Sequence, residues 1–239
     1  MSTPQELFQA AAELVVQATE EAVTQRGRFT LALSGGSTPK SLFQLLAANA
    51  RTSLPWDRMF FFWGDERHVP PTDGESNFRM ADEAMLSKIP VDKANVFRVL
   101  SENPDANVAA ADYEETLQKF FSLSAGEVPR FDLILLGMGP DGHTASLFPG
   151  TAALQEKSRL VVANWIEKFK THRITFTLPV LNAARCVAFL VSGTEKAEAL
   201  HAVLEGDAAG EQYPSKLVQP KDGRLIWLLD RAAANRLSR

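Results

Sequence analysis

Three short stretches of this chain gather side chains able to do chemistry. The first is Leu136-Gly-Met-Gly-Pro-Asp-Gly-His-Thr-Ala-Ser-Leu-Phe-Pro149, in which Gly137, Gly139, Pro140 and Gly142 fix an unusual backbone around His143. A histidine held on so rigid a loop can act as a general base, and a carboxylate two residues away, Asp141, can set its tautomer. The second is Trp63-Gly-Asp-Glu-Arg-His68, which places four ionisable groups directly after an apolar run. Arg67 offers a fork to phosphate or carboxylate. Asp65 shares its direction if the segment continues as a strand, because alternate strand residues point the same way. Glu66 and His68, taken singly, read as charges of a solvated loop. The third is Ser34-Gly-Gly-Ser-Thr-Pro39. Paired glycines, Gly35 and Gly36, let the backbone approach a ligand, and free helix-start amides with the hydroxyls of Ser37 and Thr38 can donate to an anion. The same stretch also reads as a plain strand-to-helix turn with Thr38 as its cap.

Two further cations stand where a second grip on an anion would be useful. Arg173 opens Arg-Ile-Thr-Phe-Thr, and Lys196 sits in Ser-Gly-Thr-Glu-Lys-Ala at the start of a helix. Either one alone also fits an ordinary surface charge. Other chemistries lack their signatures. His68, His143, His172 and His201 have none of the short paired spacings of zinc motifs, so no metal is expected. Neither a Walker loop, nor a dinucleotide fingerprint, nor the Gly-x-Ser-x-Gly elbow of serine esterases occurs.

The elements around these stretches follow from periodicity. Leu7, Ala11, Leu14, Val15, Ala18 and Ala22 form one helical stripe between Pro4 and Thr24. Strands are expected at 28–34, 58–63, near 95–99, and at 131–136, 160–163, 173–177, 187–191 and 225–229. Helices fall at 38–49, 76–86, 108–121 and 195–204, and 206–221 reads as irregular loop. Continuous apolar strands alternating with helices predict an α/β fold with a Rossmann-like, mostly parallel sheet covered on both faces. In such sheets ligands bind outside the carboxyl ends of the strands, where all three stretches fall.

Composition is compatible with this picture. A chain of 239 residues, 45% hydrophobic and 23% charged, can bury a sizeable core, and one domain over 1–239 is expected. The net charge of -4 disfavours a general nucleic-acid partner but tolerates a local basic site for an anionic substrate. No stretch reaches the ~20 apolar residues of a membrane span and no leader pattern is read, so a cytoplasmic location is expected. A lone cysteine, Cys186, excludes an internal disulfide and sits in a run that looks like a buried strand.

Taken in order, Leu-Ser-Gly-Gly-Ser-Thr-Pro, Trp-Gly-Asp-Glu-Arg with Ser76-Asn-Phe78, the histidine stretch, and Arg-Ile-Thr-Phe-Thr-Leu-Pro resemble the 6-phosphogluconolactonase family over about Phe29 to Leu229. That family belongs to one fold group with glucosamine-6-phosphate deaminases and ribose-5-phosphate isomerases. The resemblance implies hydrolysis of 6-phospho-D-glucono-1,5-lactone, the second step of the oxidative pentose phosphate pathway, without metal or other cofactor. It makes His143 the general base. Arg67, Gly35, Gly36, Ser37, Thr38, Arg173 and Lys196 become the substrate grip, and Asp65 and Asp141 supporting carboxylates. A monomer or weak homo-oligomer is expected, with a small sugar-phosphate lactone as the partner. Related deaminases carry a glutamate after their histidine, where this chain has Phe148, so the carboxylate their ring-opening chemistry needs is missing. The same fold also serves sugar-phosphate sensors with an added DNA-binding segment, for which the stretch before Phe29 is too short.

Overall fold

The computed structural model describes residues 1–49 and 54–238. The chain opens with α1 (Pro4–Arg26), then β1 (Phe29–Leu33), α2 (Ser37–Asn49), β2 (Met59–Trp63), β3 (Asp65–Arg67), α3 (Asn77–Ala84) and α4 (Ala106–Phe121). It continues through β4 (Leu133–Leu136), β5 (Val161–Ile166), β6 (Thr171–Phe176), α5 (Leu178–Ala183), β7 (Cys186–Val191), α6 (Ala197–Leu204) and β8 (Arg224–Leu229).

The start of α1 shows how local chemistry sets these bounds. The Thr3 hydroxyl accepts from the Glu6 amide at 3.2 Å, Pro4 occupies the first turn, and Gly27, at φ 72°, ends the helix by donating to the Val23 carbonyl. Its predicted stripe of Leu7, Ala11, Leu14, Val15, Ala18 and Ala22 is buried in full.

Five strands form a parallel sheet in the order β2-β1-β4-β7-β8. Alternation across the pleat explains why these strands read as unbroken apolar runs. Phe29, Leu31, Leu33, Met59, Phe61 and Leu135 face a core shared with α1, α2 and α3. Ala32, Phe62, Ile134, Leu136, Val187 and Phe189 face a second core shared with α4, α5 and α6. Each buried leucine or phenylalanine contributes roughly 1.5–3 kcal/mol of transfer free energy, so both faces need their helices. The chain leaves β1 toward β2 on one side and returns with β4 on the other. That reversal opens the crevice between β1 and β4 at their carboxyl ends.

The fold is thus the expected α/β type, with differences of detail. The strands at 160–163 and 173–177 do not extend the parallel sheet. They belong to β5 and β6, which form an antiparallel sheet with β3, in the order β3-β6-β5, and contribute Val161, Ile174 and Phe176 to the second core. β3 and the short α5 went unread. The strand expected near 95–99 is reduced to a single parallel bridge between Phe61 and Val96, because one 3-10 turn over Lys93–Asn95 brings only that residue into register. Within 206–221, residues Pro214–Leu217 form a 3-10 turn. Cys186 is buried at the start of β7. Among the described residues no helix is long and apolar enough to cross a membrane.

Candidate active site

Loops leaving β1, β2, β4 and β7 converge on a cavity of about 200 Å³, lined among others by Gly35, Gly36, Asp65, Arg67, His143 and Lys196. All six are expected from the sequence, and the fold brings them together from four segments spread over the chain, with Asp65 and Arg67 on β3.

The histidine loop is built around its glycines. A side chain at Gly139 would collide with the His143 ring, whose Nδ1 would lie 2.1 Å from the added carbon, so only glycine lets the imidazole fold over the loop. The Gly139 amide donates to the His143 carbonyl at 2.8 Å and the Gly142 amide to the Gly139 carbonyl at 3.0 Å. Ala145 is held at φ 47°, a left-handed conformation costing of order 1 kcal/mol in a residue with a side chain. Ser215, on the 3-10 turn of the long loop, donates its amide and hydroxyl to the Gly142 carbonyl, both at 2.9 Å, and clamps the outer edge.

His143 Nδ1 lies 2.5 Å from Asp141 Oδ1, and the same oxygen accepts from the His143 amide at 3.2 Å. Partial burial alone would raise the Asp141 pKa, but the hydrogen bonds and charge of His143 outweigh it and bring the carboxyl down to about 2. Asp141 is therefore a carboxylate at neutral pH, and it does not line the cavity itself. A carboxylate on Nδ1 keeps the proton there and leaves Nε2 with a free lone pair. Phe148 stacks on the other side of the ring, with centroids 3.9 Å apart and planes at 18°. The imidazole is fixed on a face and at an edge.

Arg67 and Arg173 face each other across the β3–β6 ladder. Arg67 uses one terminal nitrogen on the Glu75 carbonyl at 3.0 Å, while the Nε atoms of both arginines are buried without a hydrogen-bond partner among the described residues. Burial, and then the Arg67 charge, lower the Arg173 pKa. Two crowded guanidiniums with unspent donors are a place where an anion relieves both desolvation and repulsion. Arg173 is the third residue of β6 rather than its first and stays outside the cavity lining, behind Arg67 in the ladder. Lys196 reaches the cavity from the 3-10 turn Thr194–Lys196, just ahead of α6.

The glycine stretch also departs from expectation in detail. Ser37 is the first residue of α2, so Thr38 lies inside the first turn rather than at the cap, and neither hydroxyl lines the cavity. Ser34, Gly35 and Gly36 do. Gly36 adopts φ 104°, and a side chain at Gly35 would overlap the Asn77 amide group at 1.9 Å.

Asp65 is a joint between loops. Its carboxylate accepts from Ser146 Oγ at 2.6 Å, and its carbonyl accepts from Asn77 Nδ2 at 2.9 Å. It thereby ties β3 to the histidine loop and to α3. Glu66 corrects the reading of a solvated loop charge: it is 1% exposed and accepts from the amides of Arg67, Asn77 and Phe78, each at 2.7 Å, and from Ser76 Oγ at 3.1 Å. Burial raises its pKa, and the backbone amides offset part of that rise. It serves the free amides of the α3 start, where a negative group is favoured. His68 is half-buried, with Nε2 2.7 Å from the Asn103 carbonyl. Asn77, Ser34, Ser146 and Ala145 were missed. Ser34, Ala145 and Ser146 lie inside stretches that were singled out, without a role of their own, and Asn77 was signalled only by the Ser76-Asn77-Phe78 triplet, whose partner Glu66 is too far away in sequence for a local rule to join them.

A parallel α/β sheet with a carboxylate-oriented histidine and guanidiniums at its switch point defines a class of enzymes that bind small anionic substrates. A model of the glucosamine-6-phosphate isomerase/6-phosphogluconolactonase family matches residues 2–227, and the chain belongs to that family. A 6-phosphogluconolactonase of Nostoc sp. is 46% identical over 232 residues, covering 97% of this chain and 94% of the relative. The solved 6-phosphogluconolactonase of Trypanosoma cruzi superposes with a TM-score of 0.89 at 31% identity, covering 100% of this chain and 96% of that one. A monomeric glucosamine-6-phosphate deaminase, at 22% identity and a TM-score of 0.80 over 98% of this chain and 97% of that one, shares the fold.

Proposed function

We propose that this protein is a lactone hydrolase that opens 6-phospho-D-glucono-1,5-lactone to 6-phospho-D-gluconate with water, in the cytoplasm, using neither metal nor covalent intermediate. The relatives' names support the substrate, and one observation supports the chemistry: His143, locked between Asp141 and Phe148, on the rim of a cavity that also holds Arg67 and Lys196.

The carbonyl of a lactone is already electrophilic, so the reaction needs a deprotonated water and a fixed substrate. In this reading His143 Nε2 takes a proton as water oxygen bonds to C1, forming a tetrahedral adduct. The adduct collapses with cleavage of the bond from C1 to the ring oxygen, which receives the proton from the imidazolium. The new carboxylic acid then ionises and releases a proton to solvent. Asp141 holds the tautomer and steadies the transient imidazolium. Arg67 and Arg173, Lys196, and the 35–38 turn with the amides at the α2 start bind the phosphate and other anionic oxygens. Phe148, stacked on the His143 ring, stands at the sequence position where related deaminases carry the glutamate of their ring-opening chemistry, which favours water activation over isomerisation.

The test generates the lactone in situ and follows acid release above the spontaneous rate. The expected outcome is a clear acceleration, lowered about 10²–10⁴-fold in His143→Ala, the range that a positioned base contributes. An unchanged rate in that variant would sink the assignment of the base. Ammonia release from glucosamine 6-phosphate would replace the lactonase reading with a deaminase one.

A further inference from the structure

The opposite edge of the parallel sheet carries a second basic cavity. Arg28 immediately precedes β1 and Arg185 immediately precedes β7, while Arg130 lies just ahead of β4 and Arg26 closes α1. Because β1, β4 and β7 are parallel, these residues share the amino edge of the sheet, whereas Ser34, Gly137 and His143 follow the carboxyl ends. The four arginines line a cavity of about 430 Å³ together with Glu127 and Asp132. Phe121, Leu123 and Val128 supply an apolar part of its lining.

The local pairing leaves cationic capacity unspent. Asp132 is nearly saturated: Oδ1 accepts from Arg26 Nε at 2.9 Å, and Oδ2 accepts from the Thr30 amide and hydroxyl, both at 2.8 Å. Arg185 Nε forms a loose ion pair with Asp132 Oδ1 at 3.5 Å, is buried, and has no hydrogen-bond partner among the described residues. Glu127 is turned onto the Ser124 amide at 2.7 Å. Arg130 uses one nitrogen on the Asp222 carbonyl at 3.1 Å, and Arg28 lies 4.7 Å over the Phe120 ring; neither is paired with a carboxylate among the described residues. Burial, then the charges of Arg26 and Arg130, depress the Arg185 pKa, and Asp132 and Glu21 only partly oppose this.

Four guanidiniums against two carboxylates, both already engaged, fit an oligophosphate, whose oxygens accept forked donors and whose charge relieves the mutual repulsion. The volume exceeds what phosphate groups alone occupy and lies in the range of small-molecule sites. The apolar side chains provide a surface for a planar group. We propose that this cavity binds a phosphorylated ligand of the nucleoside diphosphate class, at a site separate from the catalytic cavity. The proposal does not depend on the lactonase reading.

Calorimetric titration of the full chain with ADP, pyrophosphate and adenosine tests it. ADP is expected to bind with one-to-one stoichiometry, equally well in Arg67→Ala, and more tightly than either fragment. The double variant Arg28→Ala/Arg130→Ala alters two exposed side chains. It should weaken ADP binding at least tenfold while keeping the wild-type melting midpoint and the wild-type rate of acid release from the lactone. The proposal is overturned if ADP does not bind at millimolar concentration, if the double variant binds it as the wild type does, or if Arg67→Ala abolishes binding and so locates the anion in the catalytic cavity. Equal affinity for pyrophosphate and ADP would overturn the nucleoside part.

Discussion

His143 gains its chemical identity from three neighbours that act in different ways. Asp141 holds one ring nitrogen at 2.5 Å, Phe148 covers a face, and Gly139 leaves the space into which the ring folds. Replacing Asp141 by Asn retains shape but removes the charge that selects the tautomer. If His143 is the base proposed above, Asp141→Asn is expected to lower turnover by about 10²-fold or more, with a smaller change in the Michaelis constant, because orientation of that base matters most in the transition state. Turnover within twofold of wild type would separate Asp141 from the reaction. The same substitution has a stability signature. The folded Asp141 pKa of about 2 lies below its ordinary 3.8, so its contribution is fully present well above 3.8 and is lost as pH falls through 2. The difference in unfolding free energy between wild type and Asp141→Asn should be measurable in denaturant at about pH 5, shrink as pH falls below about 4, and vanish only below about pH 2. A gap that stays constant over that range would mean the carboxylate carries no such linkage.

At the scale of elements, the site depends on how β3 and α3 are tied to the glycine turn. Glu66 gathers three amides of this junction, and Asn77 occupies the space that Gly35 leaves empty. Gly35→Ala would force the Asn77 amide out of a buried position in which it donates to the Asp65 carbonyl. The expected result is a loss of about 1–3 kcal/mol in chemical denaturation, the cost of an unsatisfied buried polar group, and a raised Michaelis constant, because Asp65 and Arg67 share β3. Wild-type stability in Gly35→Ala would show that Asn77 relaxes without cost. This junction also marks where sequence reading stops. The three loops were legible because glycine clusters and charges directly after apolar runs are local signals. The strands β1, β2, β4 and β7 of the parallel sheet were legible because they are buried on both faces and read as unbroken apolar runs. β3 spans only Asp65–Arg67 and is made of three charged residues, so no hydrophobic pattern could reveal it. The antiparallel sheet that it forms with β5 and β6 went unread for the same reason. Glu66 looks like a surface charge until Ser76, Asn77 and Phe78 are folded against it from about ten residues away.

Over the whole molecule the charges are unevenly placed, and this asymmetry has a kinetic consequence. Acidic residues outnumber basic ones, 29 to 25, and the net charge of -4 should repel a phosphorylated substrate at long range. Around the proposed active-site cavity the balance reverses locally: Arg67 and Lys196 line it and Arg173 stands behind, while Asp65 is occupied by Ser146 and Asn77. A recessed cationic patch on an anionic body attracts an anion only over the last Debye length, about 10 Å at 0.1 M salt. Salt then screens the weak repulsion by the body and the stronger attraction by the patch, and the closer charges win. Raising monovalent salt from about 0.05 to about 0.5 M is expected to lower kcat/KM several-fold, mainly through KM, because the contacts act on substrate capture. In Arg67→Ala the salt slope should flatten, since the charge that dominates the patch is gone. A slope that is unchanged in Arg67→Ala, or a kcat/KM that rises with salt, would mean that the net charge of the protein, rather than the guanidiniums at the carboxyl end of its sheet, governs the approach of the substrate.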